Sequence, residues 1–253
     1  MDLGLTGRSA IVTGASRGLG KAIAMGLAAE GARLTICARG PEALDATAAE
    51  LRAAGASVVA VGADVTSAAD AARVVRTAVE RHGRIDVLVN NAGGTSRTGD
   101  LVEQFRGSFD LNVTSALRMM ELAKPHLLAS GQGAVVNISS IYGRESGGPA
   151  TYNATKAAQI GMTKAYALVW IRQGIRVNNV APGSIAFEGG SWFRRQQEDP
   201  EAMAKFVADN IAGGRFGTAE ELAAAVVFLC SPRASWVVGA TLNVDGGQSR
   251  SNI

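Results

Sequence analysis

The fold of this chain is decided by the stretch Thr13-Gly14-Ala15-Ser16-Arg17-Gly18-Leu19-Gly20, which joins a short apolar run, Ser9–Val12, to a segment of helical period. Its glycines lack a Cβ, so the main chain can turn sharply here and approach a phosphorylated ligand closely. The helix that begins among them offers free N–H groups and the positive end of its dipole. The stretch therefore predicts a strand, a turn and a helix that together bind the pyrophosphate of a nucleotide.

The alternation of strand and helix continues along the whole chain. The predicted strands are Ser9–Val12, Arg33–Ala38, Ser57–Val61, Val87–Val89, Ala134–Ile138, Arg176–Val180 and Thr241–Val244. The predicted helices are Gly18–Ala29, Pro41–Ala54, Ala68–His82, Val102–Ser130, Ala150–Gln173 and Ala219–Leu229. Nearly continuous apolar strands between helices predict an α/β fold, a Rossmann-type doubly wound parallel sheet of about seven strands with helices on both faces.

Domain organisation follows from length and from one irregular segment. The chain has 253 residues, 47% of them hydrophobic, and no Pro/Ser-rich linker divides it. A single domain over residues 1–253 is therefore expected. The segment from Phe187 to Gly214 is long, mixed in composition and bounded by glycines. This composition predicts a substrate lid at about residues 187–214.

Composition excludes several classes of function. The net charge is only +3, basic residues are scattered and aromatic residues make up 5% of the chain, so nucleic-acid binding is not expected. No apolar run approaches the roughly 18 residues of a membrane span. The start, Met1-Asp-Leu-Gly, has neither the charged n-region nor the apolar h-region of a secretory leader, so we expect none. We expect a cytoplasmic protein with no membrane partner.

Metal and disulfide chemistry are also disfavoured. Cys37 and Cys230 lie in apolar segments, where free cysteine behaves as a small hydrophobic residue. His82 and His126 stand far apart at predicted helix ends, in polar surroundings and without other ligand residues nearby. We expect no metal site. The carboxylate pair Glu220-Glu221 fits a helix N-terminus capped by Thr218 better than an acid/base site.

Tyr152 and Lys156 are the candidates for proton transfer. They stand four residues apart on a predicted helix, so their side chains share one face. A tyrosine with a pKa of about 10 is a slow acid or base at neutral pH unless a positive charge favours its phenolate. Lys156 can supply that charge. The same spacing also arises by chance in helices, so other motifs must decide its meaning.

Those other motifs make the chain resemble the short-chain dehydrogenase/reductase family. The family's T-G-x-x-x-G-x-G matches residues 13–20, and further matches occur in the same order along nearly the whole chain. They are Asp64-Val65, Asn90-Asn91-Ala92-Gly93, Asn112, the Ser/Tyr/Lys set, Pro182-Gly183 and the ending Leu242-Asn-Val-Asp-Gly-Gly247. Among members, 3-oxoacyl-carrier-protein reductases are similar, although Gln173 stands where some of those enzymes carry a basic residue.

The resemblance implies a catalytic set of Asn112, Ser140, Tyr152 and Lys156. A serine polarises the substrate oxygen, the tyrosine transfers the proton, the lysine lowers the tyrosine pKa and holds the nicotinamide ribose, and the asparagine supports a water-linked relay. Asn137-Ile138-Ser139-Ser140 offers two serines. Alignment with Gly143 favours Ser140, whereas the usual separation from the tyrosine favours Ser139. Ser140, Tyr142, Tyr152 and Trp192 are the expected substrate contacts.

The resemblance also implies a nicotinamide dinucleotide. The expected contacts come from Gly14, Ser16, Arg17, Gly18, Leu19, Gly20, Arg39, Asp64, Val65, Asn91, Ala92, Gly93, Tyr152, Lys156, Pro182, Gly183 and Ile185. An NAD site usually places a carboxylate at the end of the second strand, and here Arg39 stands there with Arg17 nearby. Two guanidinium groups suit a 2′-phosphate, so NADP(H) is preferred and NAD(H) stays possible.

Two departures from the family pattern concern the lid. Phe187 replaces the family threonine that holds the nicotinamide carboxamide, so Ser184, backbone groups or the lid must take over that contact. The lid also carries aromatic residues, with Arg194 and Arg195 between them. Such a stripe fits either internal packing or closure over an acidic substrate.

The expected partners are a small carbonyl or alcohol substrate and further copies of the chain. Val169 replaces a glutamate that many relatives carry, on a helix that commonly packs against its twin, which favours a homotetramer or homodimer over internal core packing. Hydride transfer between NADP(H) and a carbonyl or secondary alcohol is the favoured function. The alternatives are an NAD-dependent sugar, polyol or steroid dehydrogenase and a catalytically inactive nucleotide-binding protein.

Overall fold

The structure is a computed structural model that describes residues 2–252. Its centre is one seven-stranded, fully parallel sheet in the order β3-β2-β1-β4-β5-β6-β7. The strands are β1 Ser9–Thr13, β2 Arg33–Ala38, β3 Val58–Gly62, β4 Val87–Asn90, β5 Ala134–Ile138, β6 Arg176–Pro182 and β7 Thr241–Val244. The predicted doubly wound sheet is confirmed, with strand ends shifted by at most one or two residues.

Helices cover both faces of the sheet. They are α1 Gly18–Ala29, α2 Pro41–Ala53, α3 Ala68–His82, α4 Leu101–Phe109, α5 Ser115–Ala129, α6 Ala150–Trp170, α7 Ser191–Glu198, α8 Pro200–Asn210 and α9 Ala219–Cys230. One apolar core lies under α1, α2 and α9, and a second lies under α3, α5 and α6. The central strands β1, β4, β5 and β6 are buried along their whole length, which explains why β1, β4 and β5 are largely apolar. β6 also buries three polar side chains, Arg176, Asn178 and Asn179, and each of them is hydrogen-bonded.

Two predicted helices differ from the structure. The stretch predicted as one helix over Val102–Ser130 is interrupted by a π-helical turn, Asp110–Thr114, that separates α4 from α5. Within this turn the side chain of Asn112 is fully buried and donates to the Ser108 carbonyl. The helix predicted to end at Gln173 ends at Trp170, and residues Ile171–Gln173 form a 3-10 turn. Gly174, with a φ of 80°, ends this turn.

The segment at residues 187–214 contains two short helices, α7 and α8. Neither buries any residue, but Trp192 of α7 stacks on Phe206 of α8 at 4.8 Å and meets Phe216 at 5.4 Å between ring centroids. The segment is therefore held together by an aromatic cluster of Trp192, Phe206 and Phe216. Closure of this segment as a lid stays a prediction.

The order of the strands locates the site. The direction of winding reverses between β1 and β4, and the carboxyl ends of these strands open a crevice where ligands bind in doubly wound sheets. The glycine-rich turn follows β1, and the sequence Asn91-Ala92-Gly93 follows β4. The two motifs therefore meet at this switch point.

Candidate functional site

Three cavities adjoin the carboxyl ends of the strands, and each is named here after a charged residue that lines it. The Arg39 cavity, of about 420 Å³, lies over the ends of β1, β2 and β3. The Lys156 cavity, of about 230 Å³, lies beyond β4 and shares Gly93 with the Arg39 cavity. The Arg195 cavity, of about 400 Å³, shares Ser140 and Tyr152 with the Lys156 cavity. Together they form one extended site.

The glycine-rich turn is built to leave the N-terminus of α1 open. Gly14 has a φ of 66°, which favours glycine, and a Cβ on Gly20 would clash with the Gly14 carbonyl oxygen. The Arg17 side chain at the N-cap makes no capping hydrogen bond within residues 2–252, and no acidic residue stands in the first turn of α1. The first N–H groups of this helix are thus available to an anion.

Hydrogen bonds from β4 hold the turn in place. The hydroxyl of Thr13 accepts from the backbone N–H groups of Asn91 and Ala92, each at 3.0 Å. The Asn91 side-chain amide donates to the carbonyls of Thr13 at 2.9 Å and Gly14 at 3.1 Å. Asn91 therefore also positions the turn, a role that its predicted cofactor contact did not anticipate.

The charges of the Arg39 cavity favour an anionic ligand. Arg17 and Arg39 both line it, are both exposed, and form no ion pair within the described part of the chain. Asp64 also lines the cavity, and its Oδ1 accepts from the Thr66 N–H and hydroxyl. The cavity thus carries two unpaired guanidinium groups, at the position where a dinucleotide's adenosine half would lie.

The Lys156 cavity brings together Ser140, Tyr152 and Lys156. The Ser140 hydroxyl hydrogen-bonds Tyr152, and Lys156 Nζ lies 5.6 Å from the centre of the Tyr152 ring. The ammonium of Lys156 donates to the carbonyl of Ile138 at 2.9 Å and to Oε1 of Gln159 at 3.1 Å. Since an ammonium has three N–H donors, one is left for a ligand hydroxyl.

Burial controls the protonation of this pair. It raises the pKa of Tyr152 above its usual value, although the hydrogen bond from Ser140 acts in the opposite direction. It also lowers the pKa of Lys156 to about 7. We expected Lys156 to lower the pKa of Tyr152. In the polypeptide alone the pKa of Tyr152 is raised instead, because desolvation favours the neutral forms of both groups. Tyr152 keeps its proton at neutral pH.

The two candidate serines have different partners. Ser140 lines both the Lys156 and the Arg195 cavities, and its hydroxyl meets Tyr152. The Ser139 hydroxyl instead accepts from the Asn179 side chain at 2.5 Å and donates to the Val180 carbonyl at 3.2 Å. Of the two hydroxyls, the geometry thus leaves that of Ser140 beside Tyr152.

Asn112 lies behind the site and does not line any of the three cavities. Its Nδ2 donates to the carbonyls of Gly94 and Ser108, both at 2.7 Å, and its Oδ1 accepts from the Gly94 N–H at 3.1 Å. A Cβ on Gly93 would lie 2.7 Å from this Oδ1 and 3.3 Å from Lys156 Nζ. The side chain of Asn112 therefore fastens the glycine loop after β4 close to the lysine.

Gln159 is a site residue that the sequence reasoning missed. It is fully buried, accepts from Lys156 through Oε1, and its Nε2 has no hydrogen-bond partner among residues 2–252. The available signal was a polar stripe on an otherwise buried helix face, since Thr155, Gln159 and Thr163 recur every four residues. Such a stripe toward the core indicates a polar network.

The remaining predicted contacts are distributed around the site as follows. Gly14, Ser16, Arg17, Arg39, Asp64, Val65, Ala92 and Gly93 line the Arg39 cavity. Leu19, Asn91, Gly93, Tyr152, Lys156, Pro182, Gly183 and Ile185 line the Lys156 cavity. Ser140, Tyr142, Tyr152 and Trp192 line the Arg195 cavity. Gly18 and Gly20 line none of the three; Gly20 packs on Gly14, and the Phe187 ring lies against Gly18.

Phe187 occupies a place between the lid segment and the glycine-rich turn. A Cβ on Gly18 would clash with its ring, which also lies against Gly190 and packs on the core beside α1. Phe187 lines the Lys156 cavity, whereas Ser184, the suggested substitute for the family threonine, lines the Arg195 cavity. An apolar ring thus lies where the family pattern has a hydroxyl.

The other chemically active residues lie away from this site. His82 is buried rather than in the polar surroundings expected from the sequence; its Nε2 lies 3.0 Å from the Leu34 carbonyl, and burial lowers its pKa. Cys37 and Cys230 are buried and unpaired, and burial raises the pKa of each thiol to about 12.

Residues 2–252 contain no cluster of three or more His, Cys, Asp or Glu that could hold a metal ion. No helix in the same range is long and apolar enough to cross a bilayer.

The residues present fit a nicotinamide dinucleotide. Two cavities extend on either side of the open N-terminus of α1 and join at Gly93. Arg17 and Arg39 would hold the adenosine half, the first turn of α1 would hold the pyrophosphate, and the free N–H of Lys156 would hold a ribose hydroxyl. Lys156 is the single charged residue that lines the Lys156 cavity in the described chain.

Comparison with known proteins finds relatives that match nearly the whole chain. A family model described as enoyl-(acyl carrier protein) reductase matches residues 14–249. A 3-oxoacyl-(acyl-carrier-protein) reductase of Synechocystis sp. is 38% identical over 96% of this chain and 97% of its own length. A sorbitol dehydrogenase of Cereibacter sphaeroides is 38% identical over 96% of this chain and 98% of its own length.

A solved structure shares the fold over the full chain. L-Sorbose reductase from Gluconobacter frateurii, in complex with NADPH and L-sorbose, superposes with a TM-score of 0.92 at 34% identity, covering 99% of this chain and 100% of that chain. Because the family model and these relatives span nearly all of the sequence, the protein belongs to the short-chain dehydrogenase/reductase family of NAD(P)-dependent oxidoreductases, which act on alcohol and carbonyl groups.

Proposed function

We propose that the protein reduces a carbonyl compound to a secondary alcohol with NADPH, and catalyses the reverse oxidation, with Tyr152 as the proton donor and acceptor. The observation that carries this proposal is the convergence of Ser140, Tyr152 and Lys156 between the Lys156 and Arg195 cavities. Such a position lets one substrate oxygen meet the phenol while its carbon faces the nicotinamide side.

The chemistry divides between the cofactor and three side chains. When bound, the reduced nicotinamide supplies a hydride, so the carbonyl carbon gains two electrons and one hydrogen. The Ser140 hydroxyl donates a hydrogen bond to the oxygen as negative charge develops on it. Tyr152 then transfers its phenolic proton to that oxygen, and the positive charge of Lys156 stabilises the phenolate that is left.

The pKa values support reduction at neutral pH. The raised pKa of Tyr152 keeps the phenol protonated, as an acid must be. Oxidation needs the phenolate instead, so its rate should rise with pH. Asn112 contributes indirectly: both donors of its side-chain amide bond backbone carbonyls, so a relay through this residue would use its main chain.

Tyr152→Phe tests the assignment. Removal of the hydroxyl should lower kcat by about 10²- to 10⁴-fold, because the general acid is lost. The dissociation constant for NADPH, measured by fluorescence titration, should change little, since the ring remains. A kcat close to wild type in this variant would refute the role of Tyr152.

The preference for NADP(H) is proposed from charge. Arg17 and Arg39 suit a 2′-phosphate, and no carboxylate stands at the end of β2 to bind a ribose diol. Wild type should show a higher kcat/KM with NADPH than with NADH, and Arg39→Asp should reduce that ratio about 10- to 100-fold. Arg52→Asp, on the same side of the sheet but outside the cavity, is the control. A wild-type preference for NADH would overturn this choice.

An NAD-dependent sugar or polyol dehydrogenase is the second candidate. The similarity to a sorbitol dehydrogenase and to L-sorbose reductase favours its substrate class, whereas the NADPH in the L-sorbose reductase structure agrees with the cofactor of the first candidate. The Arg195 cavity carries hydroxyl and amide groups suited to a polyol. Rates with L-sorbose and sorbitol, measured beside simple ketones with each cofactor, separate the two functions.

We further propose that the protein acts in the cytoplasm as a homodimer or homotetramer. Val169 is 57% exposed and its neighbour Leu168 is 59% exposed, so neither belongs to the core of the chain. The alternative of internal packing for Val169 is therefore wrong. An exposed apolar face on α6 supports association of copies.

A further inference from the structure

The Arg195 cavity has an unusual balance of charge. It is lined by Thr95, Ser140, Ile141, Tyr142, Gly147, Gly148, Pro149, Tyr152, Pro182, Gly183, Ser184, Ser191, Trp192, Arg195 and Gln248. Among these described residues Arg195 alone is charged, and the adjoining Lys156 cavity adds one more positive group, Lys156. No Asp or Glu of the described residues lines either cavity.

Arg195 is held by aromatic stacking rather than by an ion pair. Its guanidinium carbon lies 5.0 Å from the centre of the Trp192 ring, and Trp192 is itself stacked on Phe206. Within residues 2–252 it forms no salt bridge, whereas its neighbour Arg194 pairs with Glu198 at 3.8 Å. Stacking uses the face of a guanidinium and leaves its N–H edge free for a bidentate carboxylate.

We propose that Arg195 binds a carboxylate of the substrate, so that the preferred substrates are small oxo acids and the corresponding hydroxy acids. This inference rests on the proposed carbonyl reduction. The single guanidinium of Arg195 can pair bidentately with one carboxylate and balance its charge. The cavity volume of about 400 Å³ is large enough for a small-molecule substrate of this class.

The Arg195 side chain belongs to α7, in the predicted lid. A substrate carboxylate bound there would link the lid to a substrate whose carbonyl meets Ser140 and Tyr152, which line the same cavity. Binding and lid closure would therefore assist each other.

The test compares 2-oxobutanoate, acetoacetate and 4-oxopentanoate with the methyl ester of each. Each ester keeps the reacting carbonyl but removes the negative charge of the carboxylate. The three acids differ in the number of carbon atoms between the carbonyl and the carboxylate. For at least one pair, wild type should have a kcat/KM for the acid about 10- to 100-fold above that for the ester. Added salt should reduce this ratio, because Arg195 is exposed.

Arg195→Gln should bring the ratio of acid to ester kcat/KM close to one, mainly by raising KM for the acid. Arg194→Gln, one residue away on the same helix and outside the cavity, should behave as wild type. Thermal melting and NADPH titration establish that both variants fold and bind cofactor. Dihydroxyacetone phosphate and dihydroxyacetone form a further pair, and a preference confined to the phosphate would overturn the carboxylate assignment.

Failure of the inference is distinguishable from failure of the proposed function. If wild type reduces acids and esters equally well and Arg195→Gln does the same, carbonyl reduction stands and the role of Arg195 is refuted. If none of these compounds, nor a broad set of ketones and aldehydes, consumes NADPH, the proposed function itself fails.

Discussion

Lys156 is almost fully buried, and the oxygen of Gln159 lies 3.1 Å from its ammonium nitrogen. Burial lowers the pKa of Lys156 to about 7, while an acceptor on the ammonium favours the charged form. Gln159 therefore acts as a positioning residue, through the lysine and not on the substrate. Its free Nε2 lies away from any protein acceptor in the described chain.

Substitution of Gln159 should move the pH profile of the enzyme. The Lys156 ammonium is lost as pH rises through its pKa, so kcat/KM for NADPH, which reports the free enzyme, should fall in that range. Gln159→Leu should move the fall to lower pH by about one pH unit, because an acceptor to the charged form is lost. Gln159→Glu should move it to higher pH.

A matched control lies on the same buried stripe. Thr163 bonds Asn137 and the Gln159 backbone but does not contact Lys156, so Thr163→Val should leave the profile in place. If the pH profiles of kcat/KM for NADPH superimpose for wild type, Gln159→Leu and Gln159→Glu, then Gln159 contributes to packing but not to the pKa of Lys156.

At the scale of elements, α9 carries a complete capping box at its start. The Thr218 hydroxyl accepts from the Glu221 N–H at 3.3 Å, and Glu221 accepts from the Thr218 N–H at 2.9 Å. The predicted cap at Thr218 is thus confirmed.

Thr218→Ala should lower the free energy of unfolding by about 1 kcal/mol and Tm by about 2–4 °C. Thr218→Ser should retain most of the stability in the same melting assay, and an equal loss in both would point to a cause other than the cap.

The same cap should make stability depend on pH. Arg215 and the Thr218 N–H lower the pKa of Glu221 from 4.5 to about 2. A lowered pKa in the folded state means that the stabilisation is present above pH 4.5 and is lost as pH falls toward 2. In urea denaturation, Glu221→Gln should therefore be less stable than wild type at neutral pH, and the difference should shrink at acid pH. Glu220→Gln serves as the control, and a difference independent of pH would contradict this account.

At the scale of the whole molecule, one face remains apolar. Leu168 and Val169 on α6 are exposed, as are Leu101, Val102, Phe105 and Phe109 on α4, which lies against α6. Burial of this face between copies would remove several large apolar side chains from water.

Charge placed in that face should separate the copies. Wild type should have a solution mass that is a multiple of 26.0 kDa, and Leu168→Lys should shift it toward the monomer in light scattering. Ala53→Lys on α2, at the opposite face of the sheet, should leave the mass unchanged. A monomeric wild type would refute the proposed assembly.

The sequence by itself determined the elements and their order, because periodicity and glycine placement are local properties. The parallel sheet, the glycine-rich turn and the Tyr152/Lys156 spacing all follow from residues close together in the chain. Local pattern also placed the cap of α9. It could not show the π-turn at Asn112, whose side chain bonds Gly94, eighteen residues away in the chain.

Only the tertiary structure decided which groups meet. Ser139 and Ser140 are equivalent neighbours in sequence, but strand β6 pairs the first with Asn179 and leaves the second beside Tyr152. Arg194 and Arg195 are likewise neighbours in sequence, but Arg194 pairs with Glu198, whereas Arg195 lines the cavity. Burial of Lys156, which sets its pKa, comes from elements distant in the chain. Charge, solvation and contact between remote segments are properties of the packed molecule, so local pattern does not contain them.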